Sequence, residues 1–290
     1  MRAEFGPAGT PDEFFELGYK STVQIPAYLH HLGLRAFEYQ CGRGVNVGEK
    51  AARQFGEQAQ AHSIAVSLHA PYYISLSSPD PSKREKSMDY LLQSARALDW
   101  MGGRRVVLHC GGTVGAQREQ AFELALETLT NARTLLDEAG YAHIILCPEV
   151  MGKHNQLGTL EEVLTLCAIG DNMLPCIDFG HLNARTGGGL QTFEDYYRAL
   201  QAVEDALGVE RAQTFHAHFS KIEYTAKGEK KHLDFDSDPG FGPDFEPLAQ
   251  VLHTLDAAPT VICESASKRA TDALAMQRSL LALYDGAERQ

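Results

Sequence analysis

The sequence predicts an α/β fold, a (β/α)8 barrel of the TIM type in a single domain over residues 1–290. Three observations carry that reading. Short apolar runs alternate with helical stretches eight times along the chain, and such alternation implies parallel strands joined by helical crossovers. The run ends each fall one βα unit apart, with 40 residues from His69 to His109, 40 to Glu149, 29 to Asp178, 38 to His216 and 48 to Glu264, the last stretched by the Ser220–Gly242 connection. No Pro/Gly/Ser linker long enough to separate two domains breaks the series. A doubly wound open sheet is the alternative, but no Gly-rich phosphate loop follows the first strand.

Taken in order, Arg2-Ala3-Glu4-Phe5 is the first strand, closing on Gly6, Pro7 and Gly9. A helix follows, with Pro26 in its first turn and Gly33 as its stop. Leu34–Tyr39 is the second strand, ending in Gln40-Cys41-Gly42-Arg43-Gly44, and Gly48–His62 is a polar amphipathic helix. Ile64–Leu68 runs into His69-Ala70-Pro71-Tyr72-Tyr73, and the long helix Pro81–Trp100 comes next. Arg105–Leu108 ends at His109-Cys110-Gly111-Gly112, before a helix over Ala116–Ala139. His143–Cys147 ends at Pro148-Glu149, and the helix Thr159–Cys167 leads to the sixth strand, Leu174–Ile177. Asp178 stands at that strand's tip, and His181 follows past Gly180, which lets the chain turn tightly. Then come the helix Phe193–Leu207, the strand Thr214–Phe219 with His216 and His218, and an irregular connection from Ser220 to Gly242. The helix Phe245–Leu255, the strand Val261–Cys263 ending at Glu264, and the helix Ala270–Tyr284 complete eight units.

With 44% hydrophobic and 22% charged residues, the 290-residue chain has an ordinary globular composition. No apolar run approaches the roughly 20 residues that cross a bilayer, and the first residues are no signal peptide, so a cytoplasmic location is expected. The six cysteines form no Cys-x-x-Cys pair and sit mostly in apolar strands, as buried thiols do. A net charge of −12 argues against a general polyanion-coating protein, although acids neutralised by bound metal leave a nucleic-acid enzyme open.

Barrel strands converge at their C-terminal ends, where the loops build the site. Six consecutive strands deliver a metal-capable side chain there: His69, His109, Glu149, Asp178, His216 and Glu264, with His181 and His232 on loops just beyond. Mixed imidazole and carboxylate donors suit Zn²⁺, with Mn²⁺ or Fe²⁺ possible. One ion would leave at least three imidazoles idle in a polar cluster, so two to three ions are expected. Close cations can generate hydroxide near neutral pH and neutralise both the attacking and leaving oxygens of a phosphodiester. Glu149, Asp178 and Glu264 are the carboxylates assigned to that chemistry. His218 is expected to face away from His216, into the core or toward a helix. His30, His31, His62, His143, His154 and His253 have no strand-end placement and are expected to be ordinary.

Ser67-Leu68-His69-Ala70-Pro71-Tyr72, Leu108-His109-Cys110-Gly111, Pro148-Glu149, Cys176-Ile177-Asp178-x-x-His181 and His216-x-x-x-x-Lys221 together resemble the endonuclease IV family. Its members are apurinic/apyrimidinic endonucleases, TIM barrels with three zinc ions. The resemblance implies that His69 and His109 bind one ion with Glu149 bridging. Asp178, His216 and Glu264 would hold a second ion, and His181 and His232 a third. The family completes the third site with Asp-x-His; here the segment is Glu229-Lys230-Lys231-His232, one residue longer and with Glu as the acid. The family also inserts side chains into bent DNA from the loops after strands two and three, where this chain has Arg43, Tyr72 and Tyr73. Lys221 is placed to meet a phosphate, and the basic stretch Lys227–Lys231 is expected on the same face.

The reading is therefore a hydrolase that cleaves DNA 5′ to abasic sites. The alternative is a single-metal sugar isomerase or epimerase of the xylose-isomerase-like barrels, needing only Glu149, Asp178, His216 and Glu264. His69, His109 and His232 discriminate, because single-metal chemistry does not call for them. A metal-stabilised binding module fits least, since donors gathered at strand tips build an open site.

Overall fold

The computed structural model describes residues 3–113, 117–237 and 240–287. Its strands are β1 (Glu4–Pro7), β2 (Ala36–Gln40), β3 (Ala65–His69), β4 (Arg105–Leu108) and β5 (Ile145–Pro148). They continue as β6 (Cys176–Asp178), β7 (His216–Phe219), β8 (Lys221–Thr225), β9 (Gly228–Leu233) and β10 (Thr260–Cys263). Two parallel runs, in the orders β1-β10-β7-β6 and β2-β3-β4-β5, are joined at both seams by parallel bridges, Ala8 to Glu38 and Glu149 to Cys176. The ring is the expected eight-stranded barrel. Arg2 and Ala116, where a predicted strand and helix begin, lie outside the described residues.

Helix ends follow local chemistry. Pro81 opens the helix Pro81–Trp100 behind Asp80, whose side chain accepts from the Ser82 N–H at 3.0 Å. Thr159 and Glu162 cap the helix Leu160–Cys167 reciprocally. Between Arg118 and Glu138, Ala121, Ala125, Leu129, Ala132 and Leu136 recur at helical spacing and are buried against the barrel.

Two elements differ from expectation. The connection after Ser220 is not irregular: β8 and β9 form an antiparallel hairpin. Gly180 does not make a tight turn either. It lies in a helix, Phe179–Arg185, started by Asp178, whose Oδ1 accepts the His181 N–H at 2.8 Å.

The barrel interior is layered because strand residues two apart share a face. At the lower end the Arg105 guanidinium donates to Thr260 Oγ1 at 2.8 Å and to the Thr214 carbonyl at 2.9 Å. Above it, Val107, Cys147 and Cys176 form a small apolar cluster apart from the helix-facing core. One further step along the same strands come His109, Glu149 and Asp178.

Candidate metal centre

Glu149, one residue past β5 and 1% exposed, is the hub. Its Oε2 lies 3.3 Å from both His69 Nε2 and His109 Nε2. Its Oε1 lies 3.3 Å from His218 Nδ1 and 3.4 Å from His181 Nδ1. Each carboxylate oxygen is thus shared between two imidazoles. Asp178 spends Oδ1 on capping its helix, which leaves Oδ2 buried with no hydrogen bond and 3.1 Å from His181 Nδ1.

The structure corrects the seventh strand. His216 is not beside Glu149; it sits one layer lower, with Nε2 3.0 Å from Glu38 Oε2. His218 takes the place expected of His216, in a group with Glu149, Asp178 and Glu264. Residues two apart on a strand project to the same side, so both rings face the barrel axis at successive heights. Their rings are 5.4 Å apart.

The hairpin supplies another group, His181 with Glu229 and His232. In a regular strand, residues three apart point to opposite faces. Here the β8–β9 register pairs Glu223 with Lys231 and Tyr224 with Glu229. Lys230 is left as the extra residue of a bulge, and Glu229 and His232 come round to one side. Gly152 makes room for them: a Cβ there would stand 2.6 Å from Glu229 Cβ and 3.0 Å from the His181 ring. His232 Nδ1 lies 2.8 Å from Ser220 Oγ.

The charge balance asks for cations. Burial pushes the carboxyl of Glu149 up, but hydrogen bonds from His109, His181, His218 and His69 hold it well below the usual range. Burial pushes Glu264 up too, yet His218 above all holds it to about 2. Burial alone would lower His69 and His181, but Glu149 lifts the first to about 9, and Asp178 with Glu149 lifts the second to about 10. Burial raises Asp178. Without cations, buried acids are compensated only by protons on imidazoles. Divalent ions compensate the same acids and leave the imidazoles neutral, as ligands must be. His69, His109 and Glu149 form one donor group, Glu149, Asp178, His218 and Glu264 a second, and His181, Glu229 and His232 a third. In each group the donor atoms lie within 4.8 Å of one another.

These groups open on a cleft of about 620 Å³ at the C-terminal ends of the strands, lined also by Tyr72, Gln40, Lys153 and Arg269. Tyr72 is 59% exposed and stacks on the His109 ring, with centroids 5.6 Å apart and planes 25° from parallel. Tyr73 leans on Tyr90 instead, and Arg43 is exposed beside a neighbouring hollow. Lys221 does not reach the cleft: its ammonium lies 3.1 Å from Asp244 Oδ1. Lys230 and Lys231 both pair with Glu223. Of the cleft-lining residues, Lys153 lies 3.9 Å from Glu229 Oε1, and Arg269 donates to the Ala8 carbonyl and lies 3.9 Å from Asp12 Oδ1. His154 lies 3.0 Å from the Arg185 carbonyl, and His30, His143 and His253 contact His62, Asp99 and Tyr284.

Glu38 is a buried acid in contact with the site that the strand-tip pattern misses. It is fully buried at the base of the site, and its one sequence signal is an acid placed inside the second strand.

Residues 26–285 match the model of the xylose isomerase-like TIM barrel family. The chain belongs to that family. An uncharacterised protein of Methanocaldococcus jannaschii is 34% identical over 267 residues, covering 90% of this chain and 91% of the relative. A probable endonuclease 4 of Staphylococcus carnosus is 25% identical, covering 77% of this chain and 76% of its own. That of Acholeplasma laidlawii is 29% identical, over 57% of this chain and 56% of its own. Among solved structures, endonuclease IV of Thermus thermophilus superposes with a TM-score of 0.70 at 20% identity, covering 97% of this chain and 99% of that one. A D-psicose 3-epimerase superposes at 0.66 and 12% identity, covering 96% and 99%. Both solved structures share this barrel fold, so the fold leaves the reaction to be argued from the site.

Proposed function

We propose that this xylose isomerase-like barrel is a metal-dependent phosphodiesterase, acting in the cytoplasm on DNA 5′ to abasic sites. The observation that carries the reading is the donor surplus. His69 with His109, and Glu229 with His232, flank a quartet that would by itself satisfy one ion. Zinc is the ion best suited to the mixed donors. Bound there, two or three ions supply a nucleophile at neutral pH and neutralise charge on the attacking and leaving oxygens.

The chain's own residues supply the rest. Glu149 offers one oxygen to each side of the cluster, so it can serve two ions at once. Asp178 aims its unused Oδ2 into the site, and Glu264 closes the quartet from the last barrel strand. Lys153 and Arg269 place positive charge along the cleft, where a phosphate backbone would enter. Tyr72 presents an exposed ring edge at the mouth, suited to the gap left by an extruded nucleotide.

The second reading is a sugar isomerase or epimerase using only Glu149, Asp178, His218 and Glu264. The quartet's completeness favours it, and the cleft volume suits a free ketose as well as an extruded nucleotide. Incision of a duplex carrying one abasic site, with Zn²⁺ or Mn²⁺ present, separates the two. Cleavage abolished by Glu149→Ala is expected. No cleavage, together with interconversion of ketohexoses, would establish the second reading.

A further inference from the structure

Glu38 lies beneath the metal centre, fully buried and outside the cleft lining. Its Oε2 accepts from Ser67 Oγ at 3.0 Å and from His216 Nε2 at 3.0 Å. Its Oε1 accepts from Gln40 Nε2 at 3.2 Å and lies 3.1 Å from His218 Nε2, a charge contact rather than an aligned hydrogen bond. The opposite nitrogen of His218, Nδ1, is the one that faces Glu149 and Glu264. A neutral imidazole carries one proton, and the negative charge of a carboxylate 3.1 Å from Nε2 favours that proton on Nε2, leaving the Nδ1 lone pair free to ligate.

We infer that Glu38 is the positioning residue of the metal centre: it fixes the tautomer and tilt of His218. Ser67, Gln40 and His216 in turn fix Glu38. The inference rests on the metal-centre reading above but not on the choice of substrate.

The test uses the zinc-loaded protein and a chromophoric chelator in competition. Glu38→Gln presents an amide that can turn either its oxygen or its NH₂ toward His218, so His218 loses its enforced tautomer. The expected result is a loss of affinity of about 10- to 100-fold for one zinc equivalent, the others holding. Nitrogen NMR of the zinc-loaded parent should show His218 protonated at Nε2 alone, and a changed state in Glu38→Gln. Ser67→Ala, which removes one support of Glu38, should move the same zinc equivalent by a smaller factor. A folded Glu38→Gln that holds every zinc equivalent within about twofold of the parent would overturn the assignment, given the usual weight of such outer partners. Because the readouts are affinity and tautomer, a protein that cleaves no DNA yet shows the selective loss would sink the proposed reaction and leave Glu38's role standing.

Discussion

His181 Nε2 lies 3.4 Å from Glu229 Oε2, although the two residues belong to a helix after β6 and to a hairpin strand far along the chain. The contact depends on Gly152 and Gly228, which let the hairpin rest on the loop after β5. Gly228 takes a φ of +91°, and a Cβ on it would stand 2.1 Å from the Gly152 carbonyl oxygen.

Gly152→Ala should therefore displace Glu229 from His181. The expected outcome is loss of one metal equivalent by elemental analysis, with the ions near His69 and Glu264 retained. Retention of all equivalents would show that the hairpin does not contribute ligands.

Most strand ends are legible in the sequence because six consecutive barrel strands each deliver one chemical group at the tip, and each interval between tips fits one βα unit. His69, His109, Glu149, Asp178 and Glu264 all stand out that way. The third donor group is harder, because Glu229-Lys230-Lys231-His232 reads as two residues on opposite faces until a bulge is allowed for. The bulge has no local signature beyond its extra residue. His216 and His218 exchange roles between expectation and structure because a two-residue step along a strand keeps the same face and changes only the height. Glu38 has no strand-end position at all: what marks it out is its contact with His216 and His218 across the barrel, which only closure of the ring brings together.

Substituting the two strand-seven histidines one at a time should give opposite results. His218→Asn removes a donor of the central quartet, so one metal equivalent should fall away and activity with it. His216→Asn leaves the quartet intact but strips Glu38 of a buried partner, at a cost of about 1–3 kcal/mol. Its melting temperature should drop while the ion count at saturating zinc is kept. Equal metal loss in both variants would contradict the layering of the two rings.

The metal-free protein should be less stable in alkali than the loaded one. His69 holds its proton to about 9 and His181 to about 10, against 6.5 for an ordinary imidazole. Since both folded values are raised, the stabilisation is complete below about pH 6.5 and is lost as pH rises through 9 and 10. Thermal melts of chelator-treated protein should fall across that window, and melts of the zinc-loaded protein should fall less. Zinc uptake near neutral pH should also release protons, because neutral rings are the ligands. Calorimetry in buffers of different ionisation enthalpy measures that release, and none would mean that the rings are already neutral.

Tyr72 offers the most direct separation of substrate from metal. Its ring covers His109 at the cleft mouth and is more than half exposed. A base or sugar edge packing on that ring is worth about 1–3 kcal/mol, or roughly 5- to 150-fold in affinity. Tyr72→Ala should weaken binding of abasic duplex by that factor in a gel-shift assay, with the zinc content unchanged. Lys153→Glu and Arg269→Glu act through charge, so their effect should shrink as salt is raised, whereas the Tyr72 effect should persist. A ketose bound by the quartet alone would depend far less on these three residues. A salt-insensitive loss with Tyr72→Ala, paired with a salt-sensitive loss with Lys153→Glu, is the pattern that a nucleic-acid strand lying across this cleft must produce.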